Sequence, residues 1–206
     1  MQRAFTAFQT AVAPVSGKLH FALKANSALG VIALLARCGA GADIVSAGEL
    51  ARALTAGIAA GDIVFSGVGK SAADIRAALG AGIGQINAES AAEVAQISAV
   101  AAAMGVVARV ALRVNVDVDA GTHAKISTGQ RDTKFGISTD QREAATLYAE
   151  LAADPHIKPM GLAVHIGSQI CDLAPFERAY KAFLDVANGL RAEGLEVPCL
   201  DLGGGV

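Results

Sequence analysis

The stretch Phe21-Ala22-Leu23-Lys24-Ala25-Asn26 marks the first change along the chain from a β-type to an α-type pattern. Its apolar residues predict a buried strand over residues 19–23, and the residues after Asn26 have the spacing of a helix. A lysine at this junction lies where the chain leaves the core, so we expect its amine to be desolvated while its tip stays accessible. Burial disfavours the charged form of an amine, which favours attack on a carbonyl carbon. Lys24 is therefore a candidate catalytic residue, with an ordinary surface lysine as the alternative.

Short strand patterns alternate with alanine-rich helical patterns along the rest of the chain. The predicted strands cover residues 19–23, 43–46, 63–66, 85–87, 107–115, 161–166 and 198–202. This alternation indicates an α/β protein, either a doubly wound sheet or a (β/α)8 TIM barrel. No GxGxxG turn follows the first strand, which disfavours the doubly wound sheet. Because a barrel usually takes about 250 residues, we predict that residues 1–206 form an incomplete barrel domain, truncated before strand 8.

Helix boundaries carry their own signals, since serine with an acidic residue three positions later predicts a helix start and glycine a helix end. These signals predict three helices. The first starts at Ser71, with Asp74 three positions later, and ends at Gly80; the second starts at Ser90, with Glu93, and ends at Gly105. The third has Pro175 near its start and Gly194 past its end.

The composition disfavours several classes of function. The sequence is 53% hydrophobic and 17% charged, with a formal net charge of −2. The mild negative charge disfavours binding to nucleic acid or to an anionic membrane, and no apolar run approaches the roughly 18 residues of a membrane span. Cys38, Cys171 and Cys199 are odd in number and share no CxxC spacing. We therefore expect reduced thiols in the cytoplasm rather than disulfides or a metal site.

A run of three glycines follows the last predicted strand. Gly203, Gly204 and Gly205 would let backbone N–H groups approach a phosphate without obstruction by Cβ atoms. A tight turn is the plain alternative. Phosphate sites after strand 7 are frequent in barrels, which favours the ligand interpretation.

A single histidine ends another predicted strand. His165 is followed by Gly167, which allows close approach of the backbone, and by Ser168, whose hydroxyl suits a phosphate oxygen. A histidine in such a position is often a satisfied core residue. No second histidine at ligand spacing accompanies it, which disfavours zinc.

Three charged residues lie within or shortly after predicted strands. Asp43 and Arg113 lie inside apolar strands, where a charged side chain requires a partner, and an ion pair between them would satisfy both. Glu49 fits the first turn of a helix, where an acidic side chain interacts favourably with the helix dipole. Residues 117–129 are small and polar, which indicates an active-site loop.

Six motifs together resemble the alanine-racemase-like (fold type III) pyridoxal-phosphate decarboxylases. They are FALKAN at 21–26, DIVSAGEL at 43–50, LRVNVDVDAGTHAKISTG at 112–129, KFG at 134–136, HIGSQI at 165–170 and LDLGGG at 200–205. They occur in the family's order and span almost the whole chain. Residues 117–136 resemble the diaminopimelate branch of the family more than the ornithine or arginine branches. Val116 departs from the family's usual proline, and the family's strand-8 EPGR motif and C-terminal β-domain are absent.

The resemblance implies an activity and a role for each candidate residue. Lys24 would bind pyridoxal 5'-phosphate covalently and His165 would stack on its ring, both as catalytic residues, while Ser168 and the three glycines would bind its phosphate. Asp43, Glu49 and Arg113 would line the site. The implied reaction is decarboxylation of meso-2,6-diaminopimelate, an amino-acid substrate, to L-lysine by a cytoplasmic homodimer. The alternatives are an ornithine- or arginine-type decarboxylase, a racemase on the same barrel, and a non-catalytic relative that binds the cofactor.

Overall fold

Parallel strands alternate with helices in both halves of the chain, as the sequence predicts. The computed structural model describes residues 1–116, 118, 136–138 and 141–205. The chain divides into two units, Met1–Ile86 and Asn87–Val206. The described strands are β1 (His20–Ala22), β2 (Gly41–Ile44), β3 (Ile63–Phe65), β4 (Gln85–Ala88), β5 (Ala108–Asn115), β6 (Ile137–Ser138), β7 (Ile157–Ala163) and β8 (Cys199–Asp201). The described helices are α1 (Gln2–Val12), α2 (Leu29–Arg37), α3 (Ala47–Thr55), α4 (Ala72–Ala81), α5 (Ala91–Met104), α6 (Gln141–Ala153) and α7 (Ala174–Ala192).

The first unit contains a parallel sheet in the order β1, β2, β3 and the start of β4. Successive side chains of a strand point to opposite faces, so strand register places like residues in rows. One row consists of Ile44, Phe65 and Ile86, all without exposed surface. The row beside it contains Ala22, Asp43, Val64 and Gln85. The apolar row forms the core, and the second row carries the polar groups of this unit.

The second unit contains β5, β7 and β8 in parallel, with β6 paired to β5. Register aligns Arg113 with Ala163 and Ala163 with Asp201, so these three side chains share one face. Tyr148 and Phe183 are fully buried. Burial raises the pKa of the Tyr148 hydroxyl to about 12, and that hydroxyl donates to the carbonyl oxygen of Glu196 at 2.6 Å.

Some helix boundaries differ from the sequence predictions. Helix α4 has the predicted Ser71 as its N-cap, but it continues past Gly80 to Ala81, and its C-cap is Gly82, which has the left-handed φ of +69°. The predicted end at Gly80 is therefore wrong, because the helix stops only where a residue takes the left-handed conformation. Gly105 and Gly194 adopt positive φ directly after α5 and shortly after α7, as predicted.

The predicted capping box at α5 is only half formed. Ser90 Oγ accepts a hydrogen bond from the Glu93 N–H, but the Glu93 carboxylate accepts from the N–H of Glu89 at 2.7 Å instead of that of Ser90. Ser71 and Asp74, in contrast, form the reciprocal pair. The shorter aspartate side chain reaches the cap residue itself, whereas the longer glutamate reaches one residue further back.

All seven predicted strands are present with shifted ends, and the short β6 was not predicted. The predicted strand over residues 161–166 begins earlier, at Ile157, and ends at Ala163. The predicted loop over residues 117–129 and the KFG motif lie outside the described residues, apart from Val118 and Gly136. Among the helices that the structure describes, none has the length and apolarity to cross a membrane.

Candidate active site

Lys24 lies directly after the first strand, as predicted, but its side chain is exposed. Strand β1 ends at Ala22, and residues Leu23–Ala25 form a 3₁₀ turn. Leu23 has no exposed surface, whereas Lys24 is exposed. The expectation of a desolvated amine is therefore wrong, because the turn places Leu23 in the last core position and turns the next residue outward. The amine of Lys24 is accessible to a carbonyl compound.

Asp43 and Glu49 have local partners in the first unit. Asp43 Oδ1 accepts a hydrogen bond from the Ser66 hydroxyl at 2.5 Å. Glu49 Oε2 accepts from the Val45 N–H at 2.7 Å, which gives Glu49 the structural role at the start of α3 that the sequence indicated. The contribution of either carboxylate to the site stays a prediction, as does the ion pair between Asp43 and Arg113.

A second lysine of the first unit was missed in the sequence. Lys70 is only 6% exposed. Its Nζ donates to the Gly67 carbonyl oxygen at 2.6 Å and lies 5.6 Å from the centre of the Phe65 ring. It follows β3 in the run Phe65-Ser66-Gly67-Val68-Gly69-Lys70, and this position after a strand is the signal that could have identified it. Lys70 is buried and Lys24 is exposed, so the two lysines differ in access to a small molecule.

In the second unit, His165 lies two residues beyond the end of β7 and is half-buried. The Gly204 N–H donates to His165 Nδ1 at a long 3.4 Å. Nδ1 of His165 is the acceptor in this contact. The glycine turn therefore orients the ring of His165, and a histidine and a glycine that the sequence separates by 39 residues share one site.

Two of the three glycines are required by the packing of the turn. Gly203 and Gly205 have φ of +69° and +121°, and a Cβ atom on them would lie 2.1 Å from Val164 O and 2.4 Å from Gly167 O. The Ile170 N–H donates to the Gly205 carbonyl at 2.8 Å. Gly204 differs, because no atom lies within 4 Å of a Cβ placed there. The turn thus packs backbone to backbone on residues 164–170, with open space at Gly204.

The available hydrogen-bond donors identify where an anion would bind. The Gly203 N–H already donates to Asp201 Oδ1 at 2.9 Å, and the Gly204 N–H to His165. Within the described part of the chain, neither the Ser168 hydroxyl nor the Gly205 N–H has a hydrogen-bond partner. Ser168 and Gly205 are therefore the donors that suit a phosphate, whereas Gly203 allows the backbone to make the tight turn.

Arg113 and Asp201 are held by buried partners that the sequence analysis missed. Nη1 of Arg113 lies 2.9 and 3.0 Å from the two carboxylate oxygens of Glu89, and its Nη2 donates to the carbonyl oxygen of His165 at 3.3 Å. Asn87 Nδ2 donates to Asp201 Oδ2 at 2.8 Å. Arg113, Glu89 and Asn87 are at most 8% exposed. Two polar residues spaced by two at the end of a strand, Asn87 and Glu89, were the available signal.

Comparison with known proteins identifies the family. The sequence profile of the family described as "Pyridoxal-dependent decarboxylase, pyridoxal binding domain" matches residues 1–206. The chain is 50% identical over 186 residues to a diaminopimelate decarboxylase of Zymomonas mobilis, covering 90% of this chain and 44% of that protein. It is 48% identical over 206 residues to that of Neisseria meningitidis, covering 100% of this chain and 50% of the relative. The chain thus spans about half the length of these relatives.

A solved structure gives the same result for the fold. The Helicobacter pylori diaminopimelate decarboxylase complexed with L-lysine superposes with a TM-score of 0.89 at 42% identity, over 92% of this chain and 48% of that chain. The fold of this chain is therefore the α/β-barrel type of that enzyme, which was predicted from the strand and helix alternation.

The residues present suit the cofactor of this family. Pyridoxal phosphate has a phosphate, a flat ring and an aldehyde. The chain offers the Ser168 hydroxyl and the Gly205 N–H, which have no partner among the described residues, the imidazole of His165 and the accessible amine of Lys24. Each group has a counterpart in the chemistry of one of these residues. The match over all 206 residues and this donor set lead to one conclusion: the chain belongs to the pyridoxal-dependent decarboxylase family and corresponds to its pyridoxal binding domain.

Proposed function

We propose that the protein containing this chain releases CO2 from meso-2,6-diaminopimelate and forms L-lysine, with pyridoxal phosphate as cofactor. The observation that carries this proposal is the 48% identity to a diaminopimelate decarboxylase over the full chain. The complex of the Helicobacter pylori relative with L-lysine supports it, because L-lysine is the amine that this reaction would form. We also propose that residues 1–206 act as one cofactor-binding domain.

We propose a role for each residue from the family resemblance and from the chemistry that its side chain offers. Lys24, whose amine is accessible, would hold the cofactor covalently. His165 supports one face of the ring and is catalytic together with Lys24, and Ser168 and the glycine turn bind the phosphate. Bound pyridoxal phosphate supplies an electron sink for the electron pair left when CO2 departs. The protein would contribute orientation, by holding the carboxylate of the substrate where it can depart. Asp43, Glu49 and Arg113 are proposed to line this site.

We also propose an assembly and a location for the protein. The family resemblance supports a homodimer in the cytoplasm. The structure leaves Cys38, Cys171 and Cys199 as free thiols, which is compatible with a reducing compartment. The net charge of −2 gives no reason to propose a nucleic acid or a membrane as partner.

Substrate competition tests the proposal on the complete natural form of the protein loaded with pyridoxal phosphate. A site that pairs the distal amine and carboxylate of diaminopimelate should reject amino acids that lack them, because its polar groups would be left unpaired. We expect kcat/KM for CO2 release to be about 100-fold higher for meso-diaminopimelate than for ornithine, arginine or lysine.

Three outcomes would contradict the proposal in different ways. Equal or better turnover of ornithine or arginine would establish the alternative substrate branch. Isomerisation without CO2 release would indicate a racemase. Binding of pyridoxal phosphate without turnover of any of these amino acids would indicate a non-catalytic relative.

A further inference from the structure

The end of β4 carries two buried polar residues, Asn87 and Glu89, that contact the two segments proposed to hold the cofactor. We propose that Asn87, Glu89, Arg113 and Asp201 form a polar brace that positions the glycine turn and the His165 segment for pyridoxal phosphate. These four are positioning residues, because they act through backbone groups rather than by touching the reacting atoms. The proposal rests on the proposed cofactor function and adds residues that determine the affinity of the protein for pyridoxal phosphate.

The first arm of the polar brace fixes the glycine turn. Asn87 Nδ2 donates to Asp201 Oδ2 at 2.8 Å, and Asp201 Oδ1 accepts from the Gly203 N–H at 2.9 Å. Within the described residues, these two neutral donors are the hydrogen-bond partners of the Asp201 carboxylate, and no cationic side chain pairs with it. The orientation of the Asp201 carboxylate, and through it the start of the turn, therefore depends on Asn87.

The second arm fixes the segment that carries His165 and Ser168. Glu89 binds Arg113 through both carboxylate oxygens, and Arg113 Nη2 donates to the His165 carbonyl oxygen at 3.3 Å. The side chains of Glu89 and Arg113 are only 4% and 10% exposed. The backbone at His165 is thus tied to the buried ion pair, and Ser168 follows three residues later.

The two arms meet at the cofactor residues themselves. The Gly204 N–H donates to His165 Nδ1, which joins the turn of the first arm to the segment of the second. Ala163 lies between Arg113 and Asp201 in strand register, and its methyl group leaves room on this face of the sheet. Asn87 and Glu89, two residues apart, thereby fix both sides of the site from one strand end.

Positioning explains this arrangement better than stability does. Burying an ion pair costs desolvation energy, and apolar residues of similar volume are often equally or more stabilising. A buried polar network does, however, permit only one arrangement of its donors and acceptors. The arrangement found here leaves the Gly205 N–H and the Ser168 hydroxyl without partners among the described residues.

An exchange of the Asn87 and Asp201 side chains tests the first arm. The apoprotein is titrated with pyridoxal phosphate and the dissociation constant is read from the visible absorbance of the cofactor, with no substrate present. Asn87→Asp places two carboxylates in contact and Asp201→Asn removes the anionic acceptor, so each should raise the dissociation constant about tenfold, as expected for one lost buried hydrogen bond. The double variant Asn87→Asp/Asp201→Asn restores one amide opposite one carboxylate and should return to within about threefold of the wild type.

Matched controls separate positioning from general stability. Tyr148→Phe removes another buried hydrogen bond of the same unit, to Glu196, and should lower the unfolding temperature of the apoprotein without changing cofactor affinity. Glu89→Gln tests the second arm and should also raise the dissociation constant about tenfold. If Asn87→Asp does not fold, Asn87→Ser removes the amide donor without adding a charge, and the same loss is expected.

The proposal is overturned if the single variants bind pyridoxal phosphate as the wild type does, or if the exchanged pair is as weak as either single variant. It is also overturned if affinity in all variants, Tyr148→Phe included, simply follows the unfolding temperature. A wild type that binds pyridoxal phosphate but releases no CO2 would contradict the proposed function alone, because the affinity measurements would still decide the role of the polar brace.

Discussion

The strand ends of the two units are organised in different ways. In the first unit, Lys24 is exposed, and the contacts after the strands are helix caps such as Ser46 with Glu49 and links over at most moderate distances in sequence, such as Ser66 with Asp43, 23 residues apart. The second unit also has a helix cap at Ser90, but its strand ends carry buried contacts between residues much further apart, as in the 114-residue separation of Asn87 and Asp201. The difference fits the proposed roles, in which the amine of Lys24 stays accessible and the segments proposed to bind the phosphate are held by buried partners.

The largest effect is expected at the exposed residue. Lys24→Ala removes the amine that we assign to the covalent bond with the cofactor, so kcat/KM for CO2 release should fall on the order of 10³-fold. Borohydride reduction of the wild type followed by peptide mapping should place the cofactor on Lys24.

The matched control for this prediction is Lys18→Ala. Lys18 is an exposed lysine that lies just before β1 and pairs with Asp62, and its removal should leave turnover unchanged. If peptide mapping places the cofactor on the buried Lys70 instead of Lys24, the assignment of the exposed amine as the reacting group is wrong.

A smaller effect is expected at the open position of the glycine turn. Gly204→Ala adds a methyl group where no protein atom lies within 4 Å, so the fold should persist while the approach of the phosphate is obstructed. We expect the dissociation constant for pyridoxal phosphate to rise about tenfold, because the methyl group would keep the phosphate from one of its proposed donors, the neighbouring Gly205 N–H or the Ser168 hydroxyl. Gly30→Ala in α2 also adds a methyl group in open space and should leave affinity unchanged. Equal affinities in both variants would contradict a phosphate site at this turn.

The smallest effect is expected at a surface cap of the first unit. Asp74 accepts hydrogen bonds from Ser71 and from the Ala47 N–H, and the Ser71 hydroxyl is the main cause that lowers the pKa of this carboxyl. Asp74→Asn should reduce the free energy of unfolding by about 1 kcal/mol at neutral pH, as for other lost caps.

The pH dependence of that difference follows from the sign of the shift. Because the pKa of the Asp74 carboxyl is lowered in the folded state, the stabilisation by Asp74 is fully present above the ordinary aspartate pKa of 3.8 and is lost as the pH falls through the lower folded value. Chemical unfolding of the wild type and of Asp74→Asn over a pH series measures this difference in the free energy of unfolding. A difference that grows in acid would contradict the assigned cap.

The sequence predicted the local features well, for physical reasons. Position 205 requires glycine because its φ is positive and Gly167 O lies close to where a Cβ atom would be. Such a backbone constraint is visible in the sequence because only glycine satisfies it. Lys24 was correctly placed at a strand end, but its burial was wrong, because periodicity cannot show at which residue a strand turns away from the core. The capping box at Ser90 was half right, because the pattern does not show how far the Glu93 side chain reaches.

The sequence by itself determined the alternation of strands and helices, the glycine turn, the family resemblance and the identity of the candidate cofactor residues. Only the tertiary structure decided which partners hold them. Arg113 bonds to residues 24 and 52 positions away, and Asn87 to one 114 positions away. Such pairs arise when parallel strands from distant parts of the chain bring their carboxyl ends together, and no local pattern records which side chains then meet. The glycines and helix caps, in contrast, satisfy constraints set within a few residues, which a sequence can record directly.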